Sequence, residues 1–267
     1  MRSTDPNPLP SGAQPYTYWE WHGGQVHEVH GGLVSETRLA VYLNGQLLAA
    51  LMCSPLEIEA LAVGYAYNAG LLSTRANLRW LGANARGNVV DLYIWPPPPA
   101  LPAPRLITSG CGGDGVQALV EAFPPLESTL AVTPQVLTRL LRELDGAARL
   151  YQGVRGAHTS ILADVDGLRL AAEDIGRHNT LDKLAGRAFL EGTPTRDHIL
   201  VSSGRISSEM VFKARRMGVP IVASRTAPTS AAIHLAETWN ICAVGYLRRD
   251  GMRVYTHPQR LGLAVAR

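Results

Sequence analysis

Residues 108–115 read TSGCGGDG, one cysteine among four glycines, closed by an aspartate. A thiol reacts as its thiolate, so pKa and exposure decide what it can do. Backbone this lightly constrained suits a thiol that must visit two places. Cys111 has no second cysteine at metal-ligand spacing, and no histidine pair lies close by. The His-x-Glu and Pro-Cys-x-x-Cys pattern of zinc deaminases is absent, so zinc is not expected. Of the other two cysteines, Cys242 in NICAVGY reads as a buried structural residue, and Cys53 fits either role.

Two further sets of residues could do chemistry. SSGR (202–205), SRTAPTS (224–230) and YLRRDG (246–251) are polar, and they carry Arg205, Arg225, Arg248 and Arg249. The first two run into helices, where free N–H groups beside small residues and an arginine make a phosphate site. Ser203, Gly204 and Arg205 belong to the first, and Thr229 and Ser230 open the helix of the second. Repetition over three loops suits a ligand with several phosphates, such as a nucleotide. The other set is EDIGRHNTLDK (173–183), where Asp174, Arg177, His178, Asn179, Asp182 and Lys183 crowd a helix start. His178 with Asp174 could shuttle protons, as the acid and base of a nucleotide-modifying hydrolase. Alternatively, Asn179 caps the helix and the charges are solvated. His158, in GAHTS, is isolated and reads as a core or turn histidine.

The elements that must hold these residues alternate. LAVYLNGQLLAALM (39–52) reads as a hairpin turning at Asn44-Gly45. A helix follows from Pro55 to Asn68, capped by Ser54 and ended by Gly70. VVDLYIW (89–95) is a strand, and WPPPPALPAPR (95–105) a stiff connector into the Cys111 loop. Thr133 and Pro134 start an amphipathic helix. AHTSILAD and LRLAAED form a hairpin around Val165-Asp166-Gly167. Then come a helix to Gly192, strand 198–203, a helix to Gly218, strand 219–224, a helix over PTSAAIHLAETW, strand 241–247 and a short strand at 253–256. Strands alternating with helices predict an α/β fold whose ligands sit at the strands' carboxyl ends. Those ends are the three polar loops.

Composition bounds the function. The chain has 267 residues, long enough for one large domain or two smaller ones. At 46% hydrophobic and 18% charged it is globular in type. A net charge of +3 suits a phosphate-bearing ligand but is too small to argue for nucleic acid. Three irregularly spaced cysteines are no disulfide framework and point to a reducing cytoplasm. No apolar run approaches the roughly 18 residues of a membrane span, and no signal peptide is evident. Residues 1–15, rich in Pro, Ser and Gly, are expected as a disordered tail. Residues 16–130 are expected as an N-terminal α+β region with the Cys111 loop, and 131–267 as the cofactor-binding domain.

GRHN-x-x-DK and SGR-x-x-x-EM, with VGYLRRDGMRVYTHPQR, give the chain a specific resemblance. From about residue 34 to 261 it resembles the FdhD family, accessory sulfur carriers needed for active formate dehydrogenase. The resemblance implies a cytidine-deaminase-like, three-layer C-terminal domain with a mixed sheet and no zinc. It implies that a cysteine desulfurase loads sulfur on Cys111 as a persulfide. The carrier then passes that sulfur to the bis-guanine-dinucleotide molybdenum cofactor before insertion into apo formate dehydrogenase. The family's cofactor-contact segment falls on Tyr246, Leu247, Arg248, Arg249, Asp250 and Gly251. Arg177, His178, Asn179 and the two sheet-end loops are grouped with it. A homodimer is expected, with no nucleic acid or membrane partner. Three departures stand out: Asp114 replaces the second cysteine of the family's loop, Gly251 stands where an arginine is usual, and Asn68-Ala69-Gly70 replaces the Ser-Glu-Gly-type stretch that usually ends the N-terminal helix. The first leaves open a paralogue that binds the cofactor as a chaperone without moving sulfur.

Overall fold

Asn44 and Gly45 both take positive φ, 50° and 77°, which turns the chain back in two residues. Strands β3 (Thr37–Leu43) and β4 (Gln46–Cys53) pair across that turn as expected. The structure is a computed structural model and describes residues 8–99, 101, 105–107 and 123–264. With β5 (Leu78–Ala83), β6 (Val89–Ile94) and β7 (Arg105–Ile107) the hairpin makes a five-stranded sheet, ordered β5-β6-β3-β4-β7. Alternate residues Leu39, Val41 and Leu43 of β3 and Val90, Leu92 and Ile94 of β6 are buried on one face. Helix α1 (Ile58–Asn68) covers that face with Leu61, Ala62, Val63 and Ala66.

Helix α1 starts three residues later than its sequence suggests. Ser54 is not its cap. The Ser54 N–H donates to Asp174 Oδ2, and its hydroxyl oxygen accepts from the Ile175 N–H. A distant pair of partners outcompetes the local capping role.

The second sheet has six strands in the order β13-β12-β11-β10-β8-β9. These are β8 (His158–Ala163), β9 (Leu168–Asp174), β10 (Ile199–Ser202), β11 (Ile221–Ser224), β12 (Cys242–Gly245) and β13 (Arg253–Val254). β10, β11 and β12 run parallel; β8 and β13 are antiparallel to their neighbours. Helices α4 (Arg177–Glu191), α5 (Ser208–Met217) and α6 (Ser230–Thr238) pack on one face, and α2 (Pro134–Ala147) on the other. A short α3 (Arg149–Val154) follows α2. This is the expected mixed-sheet, three-layer α/β arrangement. Helix α4 begins at Arg177 with Gly176 at its cap, so Asn179 lies inside the helix and does not cap it.

Helices α1 and α4 join the two sheets at unusually short range. A Cβ built on Gly64 would collide with the Asp182 carbonyl oxygen, and one on Gly186 with the Ala60 carbonyl oxygen. Only glycine lets the two backbones touch.

An unanticipated element stands at the amino end. β1 (Ala13–His22) and β2 (Gln25–Val34) form a ten-residue, two-stranded hairpin turning at Gly23-Gly24. Its start at Ala13 takes in the last residues of the expected tail. Trp19 and Trp21 are 68% and 74% exposed, so this hairpin is not held by a core of its own.

Candidate functional site

The carboxyl ends of β10, β11 and β12 open into a cavity of about 1010 Å³. Its floor is apolar, from Leu141 and Leu144 of α2, Ala148 and Leu247. Its rim is cationic, from Arg225, Arg248 and Arg249. The parallel strands end together, so the loops after them must converge on this edge. Among the predicted residues Ser203, Leu247, Arg248, Arg249 and Asp250 line the cavity.

Arg225 pairs with Asp145 of α2, yet its Nε is buried without an acceptor. Burial, then Arg248 and Arg249, pull its pKa below the usual guanidinium value. Three arginines are therefore crowded here against two carboxylates, Asp145 and Asp250, a surplus of positive charge that favours an incoming anion. Arg248 Nη1 donates to the Arg225 and Leu247 carbonyl oxygens at 2.6 and 2.9 Å. The Arg248 N–H donates to Gly251 O at 2.7 Å, which closes the 248–251 turn. Gly251 itself faces open space. Tyr246 is held at φ 49°, and the Arg253 guanidinium stacks 4.2 Å above its ring.

His158, Asp145, Tyr151 and Gln152 also line the cavity, and the sequence had not pointed to them as ligand residues. His158 Nδ1 lies 3.2 Å from Ser203 Oγ. Burial and then Arg177 lower its pKa. The hairpin β8–β9 puts His158 opposite Asp174 at the cleft end of the sheet. Asp145 sits in the last turn of an amphipathic helix, and only the packing of α2 on the sheet delivers it. The nearest sequence signal was the alternation that predicted this sheet edge.

The remaining predicted residues lie outside the cavity lining. Arg205 and Ser230 are exposed. Thr229 caps α6, its hydroxyl oxygen accepting from the Ala232 N–H at 3.3 Å. Gly204 lies against Arg177: a Cβ there would stand 2.7 Å from Arg177 Cβ. Arg177 also keeps a buried Nε without an acceptor.

His178 and Asn179 belong to a buried charge network instead. Asn179 Nδ2 donates to Met52 O and to Asp174 Oδ1, both at 2.8 Å. Asp174 and Lys183 are fully buried and pair at 2.6 Å. Lys183 also donates to Glu173 O at 3.0 Å. On the other side of α4, Lys213 Nζ meets Asp182 Oδ2 at 2.7 Å and Glu209 Oε1 at 2.9 Å. Asn68 Nδ2 of α1 donates to Asp182 Oδ1 at 2.8 Å. Burial pulls the Lys213 ammonium down, and the two carboxylates more than offset it, so its pKa is raised. Of the GRHN-x-x-DK residues, His178, Asp182 and Lys183 are thus buried and Arg177 half-buried, and none of them lines the cleft. Asp174 is committed to Lys183, so the His178–Asp174 acid–base alternative has no pair to act through.

Cys111 and Asp114 lie outside the described residues. Cys53 and Cys242 are buried, and burial pushes both thiols up to about 12, so both stay protonated. Among the described residues no helix is long and apolar enough to cross a membrane.

Two sheets joined through a pair of helices, with an arginine-rimmed cleft at the parallel strand ends, make a fold already seen in a crystal structure. A Desulfotalea psychrophila chain assigned as a formate dehydrogenase accessory protein superimposes with a TM-score of 0.78, over 93% of this chain and 99% of that one, at 23% identity. The FdhD/NarQ family profile matches residues 34–262. The Bacillus subtilis sulfur carrier protein FdhD is 35% identical over 249 residues, covering 91% of this chain and 95% of that protein. The Staphylococcus aureus MRSA252 protein of the same name is 31% identical over 260 residues, 93% and 95% of the two chains. The chain belongs to the FdhD/NarQ family.

Proposed function

We propose that this chain is a cytoplasmic sulfur carrier required for formate dehydrogenase activity. Cys111 thiolate attacks the persulfide of a cysteine desulfurase; a new S–S bond forms and the desulfurase thiolate leaves. The Cys111 S–S bond then breaks and its outer sulfur passes to the bis-guanine-dinucleotide molybdenum cofactor, held as substrate in the cleft before it enters apo formate dehydrogenase. Cys111 leaves as thiolate, and the reduced cofactor supplies the two electrons that bring the sulfur to sulfide. A homodimer is the proposed working form.

The observation that carries this reading is the cleft. Its volume suits a large ligand, its floor is apolar enough for flat rings, and its lining holds three arginines against two carboxylates, Asp145, which pairs with Arg225, and Asp250. Guanidiniums bind phosphate oxygens in pairs, so Arg248, Arg249 and Arg225 suit the pyrophosphates. Ser203, Gly204, Arg205, Thr229 and Ser230 extend that reading along the neighbouring helix starts.

Chemistry and topology support Cys111 as carrier. The two described thiols are buried and protonated. β7 runs parallel to β4, and Ser54 just past β4 is tied to Asp174 at the cleft end of β9. Ile107 therefore leads toward the cleft side. Four residues further on, Cys111 can reach at most about 14 Å from it at full extension.

The test is intact-protein mass spectrometry after incubation with a cysteine desulfurase and cysteine, for wild type and Cys111→Ala. A reductant-sensitive gain of one sulfur on wild type alone is the expected result. No gain on either protein would favour the second reading, which Asp114 motivates: a chaperone that binds the cofactor and moves no sulfur.

A further inference from the structure

His178 has lost Asp174 to Lys183, but it faces another carboxylate. Its Nδ1 lies 3.3 Å from Glu209 Oε2, and its Nε2 lies 2.8 Å from Ser207 Oγ. We propose that Ser207, His178 and Glu209 form a second reactive site, a serine nucleophile with its base and orienting carboxylate, acting on small esters that carry an anionic group.

Each part of the geometry meets the requirement of its role. Glu209 is fixed from behind by Lys213 at 2.9 Å, which is itself anchored on Asp182. A carboxylate held on Nδ1 selects the tautomer with the proton there, leaving Nε2 to accept from Ser207. Burial drives the His178 pKa down to about 4 even with Glu209 opposing it, so the imidazole is neutral at ordinary pH. Ser207 is half-buried and caps α5 in a strand–turn–helix connection from β10. Its Oγ accepts from the Met210 N–H at 3.4 Å, and the other first-turn N–H groups have no partner inside the helix, a place that stabilises negative charge developing on a bound acyl oxygen. Arg177 lies within electrostatic reach of Glu209 and Arg205, and its buried Nε lacks an acceptor. That excess of positive charge selects anionic substrates.

The step balances without a co-reactant other than water. Ser207 Oγ bonds to the acyl carbon while its proton moves to His178 Nε2. The alcohol leaves with that proton. Water then attacks the acyl-serine with the same base, releasing the acid. No thiol takes part, so this site stands or falls independently of sulfur transfer.

The test uses the full chain and a fluorophosphonate probe, with Ser207 Oγ bonding phosphorus and fluoride leaving. Peptide mass spectrometry should place the adduct on Ser207 in the wild type. Ser207→Ala should abolish it and Ser208→Ala should leave it unchanged. His178→Gln should slow labelling about 10²-fold or more. Glu209→Gln, the milder change should His178→Gln fail to fold, should slow it about tenfold or more. A folded wild type with no adduct on Ser207 overturns the proposal, as does labelling at wild-type speed in a folded His178→Gln or Glu209→Gln protein.

Discussion

The charge network around α4 and the cleft at the strand ends are both dense in ionised residues, and they are opposites in physics. In the network every ammonium has its carboxylate: Lys183 faces Asp174, and Lys213 faces Asp182 and Glu209, with amide and main-chain groups adding bonds and Asn68 Oδ1 left over. In the cleft Arg225, Arg248 and Arg249 crowd one another around Asp145, and Arg225 Nε is left without an acceptor. A closed set of pairs holds structure; an open set waits for a ligand. Charge in a sequence does not tell these apart, because the difference lies in the partners.

The sharpest way to break the comparison is to open the closed set. Lys183→Met strands Asp174 in a dry interior and should cost about 3–5 kcal/mol, read as a lower urea midpoint. Gly64→Ala should cost about 1–3 kcal/mol by forcing α1 off α4. An unchanged midpoint in either would mean the interface is looser than its geometry.

The next effect depends on pH. Burial lowers the His178 pKa from 6.5 to about 4, so the unfolded chain takes up that proton first as pH falls. Stability should therefore decline between pH 6.5 and about 4, by a term on the order of 3 kcal/mol. His158 shifts the same way. Glu209 is pushed up by burial but held below the usual carboxylate range by Lys213 and His178, so its contribution is lost only lower down. His178→Gln should flatten the slope of melting temperature against pH above about pH 4.5.

The smallest effect on stability should come from the open set. Arg248→Ala should shift the midpoint by about 0.5 kcal/mol or less, as an exposed side chain. The same variant should weaken binding of a guanine nucleotide about tenfold or more, one charge-assisted bond to phosphate, in a titration followed by calorimetry. A variant that unfolds the protein or leaves the affinity intact would erase the distinction between the two regions.

Much of the fold was legible because local rules coincided with burial. Asn44-Gly45, Gly192 and Gly218 end their elements where expected, and the parallel strands were read from their apolar runs. The hairpin over β1 and β2 was missed although Gly23-Gly24 is a good turn. Both of its faces are exposed, so its aromatic residues show no alternation of the kind a single buried face imposes. The cleft arginines were legible because they follow strands that must end together. Asp145 and Tyr151 were not, since they reach the cleft only through the docking of α2 and α3. His178 and Asn179 were visible as chemistry but misplaced, because Ser54, Met52 and Asn68, their network partners, come from the other half of the chain.

Gly64 and Gly186 set a mechanical limit on all of this. Helices that touch main chain to main chain cannot slide or hinge without tearing open the contact along both. The two sheets therefore travel as one solid, and the strand end at Ile107 keeps a fixed address relative to Arg248. In the proposed carrier, meeting between sulfur and cofactor becomes a one-body search from an anchored post. Its frequency is set by covalent connection within one chain and not by the concentration of protein.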